Sequence, residues 1–352
     1  MKMTVRWYGD GQESIPLSYI KQIPRVSGVV TSLLYKQAGE VWEPDECKKM
    51  ADNIRKAGLD LEVIESVNIH EDIKLGLPSR DEYIENYIKT VKNLREIGIK
   101  VICYNFMPVL DWARSDLFYE LPDGSQTMRF DDSFIRNTTP KALADKYKKD
   151  CGGIALPGWE PERLANIEKT LLQYEGMTED KYFANAKYFL DAIIPTCEEC
   201  GIKMAIHPDD PPFNIFGLPR LINNRDHIAR FLSLNDSVYN GLTLCTGSLG
   251  ADKNNDVPAI ITEFLPRIHF THIRNLKFQE NGNFYESSHQ DGSLDIYKIV
   301  KAFHDGGFEG YCRPDHGRMI WGEKGRAGYG LCDRALGIAY INGIWEALER
   351  NT

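Results

Sequence analysis

Four strand-like segments in the second half of this chain each carry a potential metal ligand where the strand would end. They read KMAIHPDD, with His207; GLTLCTGS, with Cys245; IHFTHIRN, with His272; and GYCRPDH, with Asp315. They recur about every 30 to 40 residues, the period of a strand–loop–helix unit in a barrel whose chemistry sits at strand C-termini. Two imidazoles, a thiol and a carboxylate delivered in this way could converge on one cation. Taken singly, a strand-end His or Cys is more often a core residue. Four of them on successive strand ends point to a joint metal site.

Strand parity sorts the neighbours of these residues. Faces alternate every second residue, so Phe270, His272 and Arg274 share one face while His269 and Thr271 share the other. His272 is therefore the ligand, Arg274 lies beyond it on the same face for an anionic substrate, and His269 packs toward the helices. The loop Arg313-Pro314-Asp315-His316-Gly317-Arg318 is the densest cluster of reactive types. Asp315 can ligate while His316 serves as acid or base, since an imidazole titrates near working pH. The plainer alternative is a polar loop with Asp315 capping a turn. Tyr329, between two glycines, is a second proton-transfer candidate. Asp209 and Asp210 could orient His207 or simply be solvated turn residues. Cys197 and Cys200 lack a second pair to complete a zinc site and read as incidental thiols.

The elements that must carry these residues alternate from end to end. Strands are expected at 4–9, 28–34, 61–66, 100–106, 203–207, 241–246, 268–274 and 310–315. Helices are expected at 44–58, 79–98, 294–307 and 334–350, the second with Tyr83, Tyr87, Val91, Leu94 and Ile97 on one stripe behind a Ser79 cap. Eight strands, each followed by a helix, make an α/β fold of the (β/α)₈ TIM-barrel type. A doubly wound sheet would show a Gly-rich phosphate turn after its first strand, and Gly9-Asp10-Gly11 continues into none. The spacing breaks once, after strand four. Residues 107–160 are expected to form an inserted lid or active-site wall within a single catalytic domain of residues 1–352, with helices near 140–150 and 161–200.

Composition narrows the partners. The 352 residues carry a net charge of −9, with 42% hydrophobic and 26% charged residues. An acidic chain argues against nucleic acid, because phosphate binding needs a basic face. No apolar run approaches the length of a membrane span, and MKMTVRWYGDG has no signal-peptide core. A cytoplasmic protein with eight reduced cysteines is expected.

HPDDPP (207–212), LCTGS (244–248), FTHIRN (270–275), RPDHGR (313–318) and GYG (328–330) together resemble mannonate dehydratases of the hexuronate pathway. RWYG (6–9), ESVNIHEDIK (65–74) and CYNFMPVLDWARSDL (103–117) extend the resemblance over the whole chain. It implies a xylose-isomerase-like barrel that removes water from D-mannonate to give 2-dehydro-3-deoxy-D-gluconate, using Mn²⁺ or Fe²⁺. It also implies His207, Cys245, His272 and Asp315 as ligands, and His316 and Tyr329 as the acid–base pair. Intrinsic affinity of such donors would instead favour Zn²⁺ or Cu²⁺.

A sugar acid needs donors for its carboxylate and hydroxyls. Arg274 is the first candidate; His289 in FYESSHQDGSLD and Asn105 at the end of strand four come next, then Trp7, Tyr8 and His70 on the same rim. The expected partner is the small sugar acid, with no nucleic acid and no membrane, and the expected assembly is a homo-oligomer, a dimer. The rivals are a metal-dependent sugar isomerase or epimerase on the same barrel, whose sites are usually Glu-rich, and a non-enzymatic sugar-acid sensor.

Overall fold

Eight parallel strands close on themselves in the computed structural model, which describes residues 1–12, 14–151 and 167–351. In chain order the strands are β1 (Lys2–Arg6), β2 (Val26–Thr31), β3 (Asp60–Glu65), β4 (Val101–Tyr104), β5 (Asp116–Glu120), β6 (Gln126–Phe130), β7 (Lys203–Ile206), β8 (Asn240–Cys245), β9 (Ile268–Ile273), β10 (Asn275–Phe278), β11 (Phe284–Ser287) and β12 (Tyr311–Pro314). The barrel runs β1-β12-β9-β8-β7-β4-β3-β2, so each expected strand is present with its ends moved by no more than three residues.

Strand parity builds the interior. Val30, Val63, Val101, Cys103, Ala205, Phe270 and Tyr311 form a small buried cluster, separate from the large core between strands and helices. Two residues further along the same strands, toward their C-terminal ends, stand Glu65, Asn105, His207, His272 and Arg313. The barrel floor is thus apolar and its mouth polar, because a pleated strand turns every second side chain the same way. Register holds the mouth level: His272 pairs with Cys245 on one side and Arg313 on the other.

The helices between the strands cover the outer face. The stretch Arg80–Glu96 buries Tyr87, Val91 and Leu94 as the 3.6-residue period predicts. Ser79 does not cap it; its hydroxyl instead donates to Asp72. The long crossover from β4 to β7 ends in the helix Glu179–Cys200, capped by Thr178 and closed by Gly201 in the left-handed conformation. Helices Pro140–Asp150 and Ile167–Gln173 precede it, and the expected helical residues 161–166 lie outside the described residues, as do 152–160 of the insertion.

A second sheet was not legible in the strand spacing. Strands β10-β11-β6-β5 form a four-stranded antiparallel sheet, joining the segment after β4 to the segment after β9. Asn281 and Gly282, both with positive φ, turn the β10–β11 hairpin, the ordinary chemistry of a tight hairpin turn. Phe130 and Phe284 stack at 5.2 Å across the β6–β11 pairing. One strand of this sheet carries a residue that decides the site's geometry.

Candidate active site

His207, Cys245, His272 and Asp315 stand at the C-terminal ends of four consecutive strands of the barrel, β7, β8, β9 and β12, and their donor atoms all lie within 4.8 Å of one another. His207 Nε2 is 3.2 Å from His272 Nδ1, which is 3.5 Å from Asp315 Oδ1; Cys245 Sγ is 3.3 Å from Asp315 Oδ2. A cation bound at about 2.0–2.3 Å would hold tetrahedral donors about 3.3–3.8 Å apart, so the four residues fit one ion. Their local partners agree with that use. The Pro208 carbonyl, 2.7 Å from His207 Nδ1, accepts its hydrogen and leaves Nε2 bare on the cluster side. The Ser248 N–H and hydroxyl both donate to Cys245 Sγ, at 3.4 and 3.1 Å.

Charged residues encase the cluster. Arg313 grips Glu65 through Nε at 3.0 Å and Nη2 at 2.8 Å, and pairs with Asp315 Oδ1 at 2.9 Å. Arg274 donates from Nε to Asp315 at 2.7 Å, and from Nη2 to Asp210 at 2.8 Å. Arg114, just before β5, makes a two-pronged contact with Asp210 at 2.9 and 3.0 Å. Glu286 on β11 receives Arg114 at 2.8 Å and Arg274 at 3.2 Å through Oε1, and its Oε2 takes His316 Nδ1 at 2.6 Å. Burial alone would raise these carboxyls. The neighbouring cations win, holding Glu286 down at about 2 and Asp210, Asp315 and Glu65 below the usual carboxylate range.

His316 and Tyr329 meet at this wall. Their rings are 5.3 Å apart, and Tyr8 packs edge-on against Tyr329 at 4.9 Å. Removal from water, with the Tyr8 hydroxyl next in importance, keeps the Tyr329 hydroxyl protonated well above the normal phenol range. A cleft opens over these residues, and Tyr8, His70, Asn105, His207, Asp315, His316 and Tyr329 line it.

The structure separates the expected substrate residues into two groups. Tyr8, Asn105 and His70 face the cleft, although His70 is also used structurally: it stacks on Tyr83 at 3.6 Å and accepts the Asp72 N–H. Trp7 does not face the cleft wall over the cluster. It shares the helix-facing side of β1 with Met3 and Val5 and donates its indole N–H to Ile15. Parity made this unavoidable, since Trp7 and Tyr8 cannot turn the same way. His289 is buried behind β9, held by the Ile273 carbonyl at 2.7 Å and packed against Gly337, where a methyl group would fall 2.3 Å from its ring. Arg274 sits under the cluster with its guanidinium committed to three carboxylates. His269 lies outside the barrel interior, donating to the Val238 carbonyl. Asp209 is a loop anchor, accepting the Leu221 and Ile222 N–H groups. Glu65, Arg114, Asp210 and Glu286 went unassigned in the sequence; only Glu65, two residues past Val63 on β3, followed a rule that could have found it.

The sequence profile described as D-mannonate dehydratase (UxuA) matches residues 1–352 of this chain. The mannonate dehydratase of Thermotoga maritima is 55% identical over 354 residues, covering 99% of this chain and 98% of its own length. That of Lactococcus lactis subsp. cremoris is 55% identical over 357 residues, covering 100% and 99%. The crystal structure of the mannonate dehydratase from Streptococcus suis serotype 2 superposes with a TM-score of 0.90 at 42% identity, over 100% of this chain and 95% of that one.

Proposed function

The chain belongs to the D-mannonate dehydratase family, and on that premise we propose that it is a metal-dependent lyase converting D-mannonate to 2-dehydro-3-deoxy-D-gluconate in hexuronate catabolism. The observation that carries the proposal is the gathering of four donors, two of which, His207 and Asp315, line one cleft with the His316 imidazole and the protonated Tyr329 phenol. A divalent cation, Mn²⁺ or Fe²⁺, held by His207, Cys245, His272 and Asp315 would supply a positive centre for the charge that builds beside the carboxylate when C2 loses its proton.

The chain's own groups do the rest. Glu286 fixes His316 with its Nδ1 hydrogen bonded, which leaves Nε2 to take the C2 proton. Tyr329 stays protonated and gives its proton to the C3 hydroxyl, which leaves as water. The enol left across C2 and C3 then tautomerises to the 2-keto acid. Tyr8, Asn105 and His70 on the cleft wall receive the substrate's hydroxyls. The described part of the insertion, residues 107–151, acts as a wall of the site within one catalytic domain, in keeping with Asp111 and Trp112 on the cleft.

Eight free thiols support a cytoplasmic setting, and no helix among the described residues is long and apolar enough to cross a membrane. The assembly we expect is a homodimer, which sedimentation velocity would check. The decisive experiment is an aldonate panel under Mn²⁺ and under anaerobic Fe²⁺, following keto-acid formation. Keto acid from D-mannonate is expected. No product with either metal, or only a C2 epimer, would overturn the assignment.

A further inference from the structure

Among the arginines near the cluster, Arg6 is set apart by what it lacks. Arg274 and Arg313 are each saturated by carboxylates, and Arg114 is fully spent on Asp210 and Glu286. Arg6, the last residue of β1, lines the same cleft and is 3% exposed. Yet its Nη1 has no hydrogen-bond partner, and it forms no ion pair among the described residues. A buried guanidinium with an idle N–H is costly unless something completes it.

The surroundings say what that something is. Arg6 and Arg326 both lie over the Tyr8 ring, at 4.7 and 4.2 Å, and Arg326 Nε is also buried without a partner. Arg313 is the third cation acting on Tyr8. Glu65 feels the charge of Arg6, but its hydrogen bonds go to Arg313. The Tyr8 hydroxyl lies beside that of Tyr329 yet makes no hydrogen bond of ordinary geometry, so a second buried polar atom on the same wall is unsatisfied. An excess of positive charge with two unsatisfied donors, in the wall of the cleft, is complementary to an anion bearing hydroxyls. Register places it well: Met3 pairs with Cys312, which sets Arg6 near the height of Asp315, beside the proton-transfer pair.

We propose that Arg6 is the receptor for the substrate's carboxylate, gripping it from β1 while Tyr8 takes a neighbouring oxygen. The inference rests on the dehydratase assignment for the identity of the acid. It gives the sugar acid one orientation in the cleft, with C1 toward β1 and the C2 and C3 positions between His316 and Tyr329. It also assigns to Arg6 the role that strand parity alone suggested for Arg274.

The test compares two unreactive ligands, 3-deoxy-D-mannonate and its neutral primary amide, by titration against the metal-loaded wild type and Arg6→Met. The ratio of the two dissociation constants cancels general damage to the cleft. Arg6→Met should lower the preference for the acid at least tenfold and lower kcat/KM for D-mannonate on the order of a hundredfold, with metal content unchanged. If Arg6→Met does not fold, Arg6→Lys is measured the same way and should retain only part of the preference. An unchanged acid-to-amide ratio in the variant that folds overturns the proposal. Wild type that fails to dehydrate D-mannonate sinks the parent assignment alone, because the acid-to-amide contrast still judges Arg6.

Discussion

Glu286 Oε2 lies 2.6 Å from His316 Nδ1, a contact between β11 of the small sheet and the loop beyond β12. It turns His316 Nε2 toward the cluster, 3.7 Å from Asp315 Oδ1. The carboxylate thereby selects which nitrogen carries hydrogen and which is free to accept a proton. Glu286→Gln should keep the fold and the metal but lower kcat by roughly 10²-fold, the scale of one positioned base. Steady-state kinetics with metal analysis checks this; an unchanged kcat would leave the contact merely structural.

The cluster and the proton-transfer pair should separate cleanly by mutation. Cys245→Ala removes a donor and should lose bound metal together with activity, as elemental analysis of the purified variant would record. His316→Asn and Tyr329→Phe should keep metal and each lose about 10²- to 10⁴-fold in turnover. Metal retained by Cys245→Ala at the wild-type ratio would remove the thiol from the site.

Arg114 is fully buried and joins Asp210 to Glu286. Arg114→Met would leave both carboxylates with Arg274 as their one remaining guanidinium partner. Breaking a buried pair from one side typically costs about 3–5 kcal/mol, so a large fall in melting temperature is expected. Turnover should fall as well, since Glu286 would no longer be held against His316. A variant as stable as wild type would show that Arg274 suffices.

His269 supplies a pH dependence remote from the chemistry. Burial first, with Lys203 next, pushes its pKa down to about 3. In the unfolded chain it would titrate near 6.5, so between roughly 6.5 and 3 the unfolded state binds the extra proton. The stability this group contributes is complete above about pH 6.5 and drains away as pH falls, by at most about 1.4 kcal/mol per pH unit. His269→Gln can keep the hydrogen bond to Val238 without the titration, and should flatten the acid limb between pH 6.5 and 4.5 by up to one proton. Denaturant unfolding at three pH values checks it; equal slopes in both proteins would refute it.

Much of this molecule follows from local pattern. The period of the strand runs and the alternation of faces along them are properties of the chain itself. The barrel, the rim position of His207, Cys245, His272 and Asp315, and the outward turn of His269 were therefore legible before any coordinates. The same parity, applied to β1, separates Trp7 from Tyr8 and turns Arg6 inward.

What tertiary structure alone decided are pairings between segments far apart in sequence. Arg114 and Glu286 are 172 residues apart and meet only because β6 and β11 pair above the barrel mouth. Contacts of the same long-range kind commit Arg274 to Asp210, Glu286 and Asp315, hold His289 behind β9, and leave Arg6 Nη1 without a hydrogen-bond partner. A sequence shows which residues carry charge, but which charges are neutralised depends on distances of a few ångströms across the closed fold, because Coulombic and hydrogen-bonding partners are chosen by space and not by order along the chain.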